Sequence, residues 1–471
     1  MTHSSLPTNF QESLQEFEKI EKELSLPDWK IEGIHIWKVL RFNLFNEYRD
    51  QLDLLKNINQ ELPKSSKIRK YTESWKLLSF RNPFFFKKSK TKRIIISGIR
   101  KTSHKGEKIH PIASQLWDPS QKEKSLILEK NSLDKPNSFY GPPSLTALRL
   151  LGSILGTTMQ VRLTKKDKQK IKGIEEKIFI GNTKSYQQLE NLVYNTVKNF
   201  KGNKYIYSAF LDRAKPEYLY TGCSYGLEEL IAAAKELDIK TIEFQHGAFG
   251  RGHLGYDYSD WSHVPYFPDE FLAFGPEWFK HVSFPRACKV HIVGYKRLEE
   301  SIAEQNETHL KRPKQLLILS QPLFTSIIIE VASDFSQKRP DWEIIIRPHP
   351  KENSSLLHKK MKERTCEKNW RIEKNTKLEK HLITSSVALG LSSTALIESL
   401  LAGCRAVIID NPKNPGYFND SNNKDNITKV KNGEELSKII DDIPLKSPRG
   451  FYATPSENIL QTIEERHSRT K

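Results

Sequence analysis

The chain has 471 residues, room for two to three domains with full hydrophobic cores. A mean hydropathy of −0.60 and the lack of any long apolar run exclude a membrane-spanning helix, while a formal net charge of +18 and a pI near 9.4 call for an anionic partner or a well-solvated basic surface. Cys223, Cys288, Cys366 and Cys404 show no metal spacing and are too sparse for a disulfide framework, and the opening MTHSSLPTNFQESLQEFEK is no secretory signal, so the sequence points to a reducing cytoplasm.

Along the chain, residues 10–24 read as a helix, and residues 29–41 lead into a second ending near residue 55. Residues 1–91 form a helical, basic extension. Near its end stand Trp75, Leu77, Leu78, Phe80, Phe84, Phe85 and Phe86, then Lys87, Lys88, Lys90, Lys92 and Arg93. A second basic run holds Lys165, Lys166, Lys168 and Lys170. Such runs are either solvated faces or, for the aromatic one, a wedge suited to an anionic membrane surface. No recognition helix, RNP or zinc-finger signature speaks for nucleic acid.

The β-branched run Arg93–Ser97 and the segment Ser125–Glu129 read as the first strands of a doubly wound sheet. Helices are expected at 145–155 and 186–200, a strand at 218–220, an amphipathic helix at 225–237 and a strand at 241–244. Gln245, His246 and Gly247 come next, at the carboxyl end of that strand, where open α/β sheets bind ligands. Gly250, Gly252 and Gly255, with Arg251 and His253 between them, lead to no Gly-Lys-Ser/Thr, so they predict a tight, mobile loop and no P-loop. This first domain spans 92–305, with a polar linker near 306–313.

The second domain, 306–432, opens with a strand at 316–320 ending in Ser320, then a helix at 325–338. Ile344, Ile345 and Ile346 form an interior strand that delivers Arg347 and His349, each followed by a proline that stops it. A helix is expected at 352–363 and a strand at 387–391. Ser392, Ser393 and Thr394 then open a helix to about residue 402, and Glu398 lies one turn beyond Thr394. Free N–H groups, hydroxyls and the positive helix end suit a phosphate, and the carboxylate suits a ribose diol. A strand at 406–409, a polar loop at 411–426 and a helical tail over 433–471, returning to the first domain, complete the chain.

The Arg347–Pro350 turn, the Ser392-Ser393-Thr394 helix start with the ESLLAGCRAVI that follows, and the Gln245-His246-Gly247 turn with the later Tyr256 resemble bacterial capsule and surface-polysaccharide glycosyltransferases of the GT-B type. Kdo transferases, polysialyltransferases and, more distantly, teichoic-acid glycerophosphotransferases are similar. The resemblance covers roughly residues 216–410 and is thin before them. It implies an α/β fold, GT-B-like, of two doubly wound Rossmann-like domains facing a cleft. It also implies a nucleotide-sugar donor, favouring a CMP-sugar, a glycan or glycolipid acceptor, and no cofactor. By resemblance His349, Ser392, Ser393 and Thr394 contact the donor phosphate, and Glu398 the ribose.

Glycosyl transfer needs a base at the acceptor hydroxyl and donors at the departing phosphate. His246, or else Asp257, is the expected base. Arg347, His349 and the Ser393 helix start would hold the phosphate, with Ser320 as a further contact, and Gln245, Gly247, Arg251 and His253 would line the acceptor side. No Asp-x-Asp pair stands near either block, which fits a metal-independent reaction. Each residue also has an ordinary use: Arg347 in an ion pair, the hydroxyls as caps, Glu398 with a lysine, His246 bonded to backbone. A glycerophosphotransferase, a sugar-nucleotide epimerase and a non-catalytic, membrane-docked assembly protein remain the alternative readings.

Overall fold

The computed structural model describes residues 7, 9–54, 67–86, 91–98, 102–104, 107–109, 124–131, 133, 141–179, 184–304, 312–322, 324–349, 352, 354–363, 369–374, 376–414, 427–445, 448, 450–456 and 459–468. The lysines at 87, 88 and 90, Cys366, and most of the expected linker and polar loop lie outside these residues.

Two six-stranded parallel sheets carry the architecture, and two short hairpins stand beside them. The first hairpin is β1 (Lys30–Ile31) with β2 (Ile34–His35). β3 (Arg93–Ser97) opens the first sheet, and β4 (Thr102–His104) with β5 (Glu107–Ile109) makes the second hairpin. The first sheet continues with β6 (Ser125–Glu129), β7 (Tyr218–Thr221), β8 (Lys240–Phe244), β9 (Glu270–Ala273) and β10 (Lys289–Ile292). The second holds β11 (Gln315–Leu319), β12 (Glu343–Arg347), β13 (Trp370–Ile372), β14 (Val387–Gly390), β15 (Arg405–Ile409) and β16 (Thr428–Val430).

The strand orders are β10-β9-β8-β7-β3-β6 and β13-β12-β11-β14-β15-β16. Both are doubly wound. The chain reverses direction across the sheet between β3 and β7 in the first and between β11 and β14 in the second, the places where such sheets bind ligands. Parallel strands covered by helices on both faces must be apolar throughout, which is why Ile94, Ile95 and Ile96 and Ile344, Ile345 and Ile346 are all buried. This is the expected GT-B-like architecture.

The N-terminal extension is built into the first layer of helices. Helix Phe10–Glu23, capped by Asn9, packs with Ile36–Leu54, Lys165–Ile178 and Tyr186–Ala214 around Phe17, Trp37, Ile171, Ile174 and Val197. The second basic run is thus the first turn of a helix with a Thr164/Asp167 capping box. Its lysines at 165, 166 and 168 face solvent, while Ile171, Ile174 and Ile178 enter the core. Helix Tyr186–Ala214 runs well beyond the expected end, and its later residues Tyr207, Phe210 and Leu211 are buried with Leu145 and Leu148 of helix Leu145–Thr157. The two helices meet at glycines, where a Cβ on Gly202 would stand 2.1 Å from the Gly152 carbonyl.

The tail does return to the first sheet. The Ala453 and Ser456 amides donate to the Phe274 and Val293 carbonyls at 2.8 and 2.9 Å, extending from the ends of β9 and β10. Helix Ile459–Ser468 then sets Glu464 against Arg93 at 2.6 Å and His467 against Glu270 at 2.6 Å.

Candidate active site

Strand alternation orients the residues at the end of β8. Phe244 is buried, and Gln245, 1% exposed, receives the Phe274 N–H at 2.8 Å and donates to the Gly247 carbonyl at 3.0 Å. That staple between the ends of β8 and β9 turns the exposed His246 ring outward. Its Nε2 lies 3.1 Å from the Tyr225 hydroxyl and its Nδ1 3.2 Å from that of Tyr256. Tyr256 donates in turn to the Glu243 carboxylate. Burial pushes that carboxyl up to about 7, against the hydrogen bonds from Ser224 and Tyr256 that pull it down.

On the second sheet, Ser393 caps helix Thr394–Leu401 by accepting the Ala395 N–H at 3.3 Å. The Ser392 N–H donates to Gln321 Oε1 at 3.0 Å, and Gln321 Nε2 donates back to the Ser392 hydroxyl at 3.1 Å, bridging the ends of β11 and β14. Thr394 reaches across to the first sheet, where its hydroxyl accepts the Ala248 N–H at 2.8 Å. A Cβ on Gly247 would meet that hydroxyl at 3.4 Å. The histidine turn and the helix start, distant in sequence, therefore touch.

Arg347 donates to the Glu373 carbonyl at 2.9 Å, and the exposed His349 stands just past β12, its carbonyl taking the Glu352 N–H at 2.8 Å. Ser320 is buried and donates to Glu352 at 2.5 Å, and Thr325 donates to the same carboxylate at 2.9 Å. Gln321 and Glu352 thus organise this edge; the sequence places Gln321 only within the Ser320–Pro322 strand end and gives Glu352 no role. Gln321 was findable as the polar residue between Ser320 and Pro322, and Glu352 as the carboxylate just past the proline turn. Glu398 is half-buried one turn into its helix, and burial, with the charge of Glu398 beside it, lifts the Tyr452 hydroxyl well above its ordinary range.

The loop after Gly247 is built differently from the expected mobile loop. Asp257 is 0% exposed and accepts from Arg251 at 2.6 Å, from the Gly252 N–H at 2.6 Å and from the Ser283 N–H at 2.9 Å. Arg251 also grips Glu18 on the first helix at 2.6 and 2.8 Å. Arg41, paired with Glu21, donates to the Asp257 carbonyl at 2.7 Å. Gly252 has φ +83, and a Cβ there would stand 2.7 Å from the Phe10 ring, so the N-terminal helix presses directly on the loop. His253 lies 4.9 Å from the Tyr256 ring centroid, and burial pushes it down to about 3, which keeps it neutral. Arg251, His253 and Asp257 are joined to one clamp. Glu228 forms a buried pair with Lys38 at 3.2 Å, and Asp212 lies exposed on its helix.

No family model matches the chain, and no curated protein matches it. Among solved structures, the UDP-GlcNAc 2-epimerase of Methanocaldococcus jannaschii is similar over 79% of this chain and 99% of its own, at 13% identity and a TM-score of 0.45. The UDP-GlcNAc 2-epimerase of Neisseria meningitidis bound to UDP-GlcNAc covers 80% and 99%, at 12% and 0.46. MurG of Acinetobacter baumannii covers 80% and 99%, at 13% and 0.44. The fold assignment rests on the strand orders of the two sheets.

Proposed function

We propose that this chain moves a sugar from a nucleotide-activated donor, with a CMP-sugar favoured by the resemblance of its His-Pro turn, to a growing lipid-linked surface polysaccharide. The contact between Ala248 and Thr394 carries the reading, because it sets an outward histidine and an anion-suited helix start at the edge of one cleft. The donor phosphate would lie against His349, Arg347 and the Ser392–Thr394 start, with the ribose toward Glu398. Ser320, already committed to Glu352, would act by holding that edge.

As the acceptor oxygen attacks the anomeric carbon, its proton passes to His246 Nε2, and the sugar–phosphate bond breaks toward a nucleotide stabilised by the donors of the second sheet. Asp257 is fully buried inside the clamp, which supports His246 as the base. Gln245 and Gly247 frame it on the acceptor side.

A lipid-linked acceptor requires work at a membrane surface, and no described helix is long and apolar enough to cross one. Tyr71, Trp75, Phe80, Phe85 and Phe86 are exposed within sixteen residues, at 77%, 56%, 46%, 69% and 38%. Leu77 and Phe84 are spent on packing, so the wedge is the outward aromatic set. Its location beside a basic run supports peripheral docking on an anionic inner leaflet.

A thermal-shift screen of CMP, CDP, UDP and GDP tests the reading, followed by sugars of the best nucleotide with and without acceptor. A nucleotide at about 100 times its dissociation constant adds about 2.7 kcal/mol. Conversion of donor alone to an epimer would replace transfer by epimerisation, release of glycerol phosphate from its nucleotide would mark a glycerophosphotransferase, and binding without turnover a non-catalytic protein.

A further inference from the structure

We infer that Glu243 and Tyr256 are positioning residues that decide which ring nitrogen of His246 carries the proton and which keeps the lone pair. The inference rests on the reading of His246 as the base and deepens it. Three groups form one hydrogen-bonded line, from the fully buried Glu243 carboxyl through the buried Tyr256 hydroxyl to Nδ1 of the exposed His246. The Tyr225 hydroxyl stands at Nε2, the position a substrate hydroxyl would take.

The line has two proton arrangements. With Glu243 ionised, the Tyr256 proton points to the carboxylate and the Tyr256 oxygen accepts from His246, so Nδ1 carries the ring proton and Nε2 keeps its lone pair. With one proton added to Glu243, the carboxyl donates to Tyr256, the Tyr256 proton turns to Nδ1, and the ring proton transfers through solvent to Nε2. The first arrangement is a base aimed at the cleft and the second is not. This is the logic of a carboxylate holding a catalytic imidazole in one tautomer, with a tyrosine inserted between them.

The surroundings suit a carboxyl that changes state near neutral pH. Burial raises the Glu243 carboxyl, while Ser224, the hydrogen bond from Tyr256 and the charge of Lys38, from helix Ile36–Leu54, pull it down, with a net value of about 7. The Cys223 and Cys288 thiols that also face it are pushed far up by burial and stay neutral. Around the imidazole stand Tyr225, Tyr256 and the neutral His253. As pH falls through about 7 the line should reverse.

Full-length protein labelled with 15N at histidine, with His246 assigned by its loss in His246→Gln, reports the ring proton directly and needs no substrate. In wild type well above neutral pH we expect the proton on Nδ1, with Nε2 bare. Tyr256→Phe should lose that preference, and Glu243→Gln should remove the pH-dependent change. His246 spectra and titrations identical to wild type in both variants would overturn the inference. If Tyr256→Phe fails to fold, Glu243→Gln decides alone, by the same criterion. With the working donor, Tyr256→Phe should lower kcat by about 10²-fold with KM held, and the acid limb of the pH profile should shift. A tautomer change without any transferase activity would sink the transferase and leave the relay standing.

Discussion

A carboxylate that is fully buried and accepts from Arg251, Gly252 and Ser283 stands out of reach of a substrate hydroxyl, so Asp257 and His246 should fail differently when replaced. Asp257→Asn should cost about 2 kcal/mol in denaturant unfolding, the scale of a hydrogen bond to a charged group, with turnover per folded molecule nearly unchanged. His246→Ala should leave stability alone and lower turnover about 10²–10⁴-fold with donor affinity held. A folded Asp257→Asn enzyme as inactive as His246→Ala would return the base to the carboxylate. The sequence ranks His246 first for its place at a strand end, and keeps Asp257 as the alternative. What separates them is Glu18, 233 positions from Arg251, and no local pattern announces a contact of that range.

Helix Ile459–Ser468 is fastened by charge to strands laid down far earlier in the chain. Glu464 and Arg93 are both buried, and removing one partner leaves the other uncompensated, so Glu464→Ala should cost about 3 kcal/mol. Nearby, burial would raise the Glu270 carboxyl, but hydrogen bonds from His291 and His467 outweigh it and hold it at about 2. Its folded value lies below an unfolded one of about 4.3, so its stabilisation is complete above that value and is lost as pH falls through about 2. Thermal unfolding from pH 5 downward should therefore decline more gently in Glu270→Gln than in wild type, and parallel curves would contradict the assignment. Strands β3 and β6 were legible to the residue because runs such as Ile94-Ile95-Ile96 fit only a buried strand. Helix Lys165–Ile178 was hidden by lysines that fill its first turn before the apolar positions begin. Strands β13 and β16, three residues each, are too short to carry a period. The Ser392–Thr394 start was legible because capping chemistry is local, whereas its contact with Ala248 belongs to the packing of two sheets.

Taken whole, the molecule carries an anion-suited edge, an outward histidine and exposed aromatic side chains that the sequence follows with a basic run, on one chain of net charge +18. If those side chains dock on lipid, the protein should cosediment with anionic vesicles and leave them as salt rises. Changing Trp75 and Phe85 to Ala should weaken this at low salt, because apolar area is lost while charge is kept. Equal recovery on neutral and anionic vesicles would make the basic surface a solvation feature alone. On the proposed reading a nucleotide binds at the carboxyl ends of the second sheet. Titration calorimetry of the best nucleotide from the screen tests it most directly, comparing wild type with His349→Ala. A single site in wild type, with His349→Ala weaker by about 1.5–3 kcal/mol and equally stable without ligand, is the result predicted. No binding by any of the four nucleotides, or equal affinity in the two proteins, would contradict it.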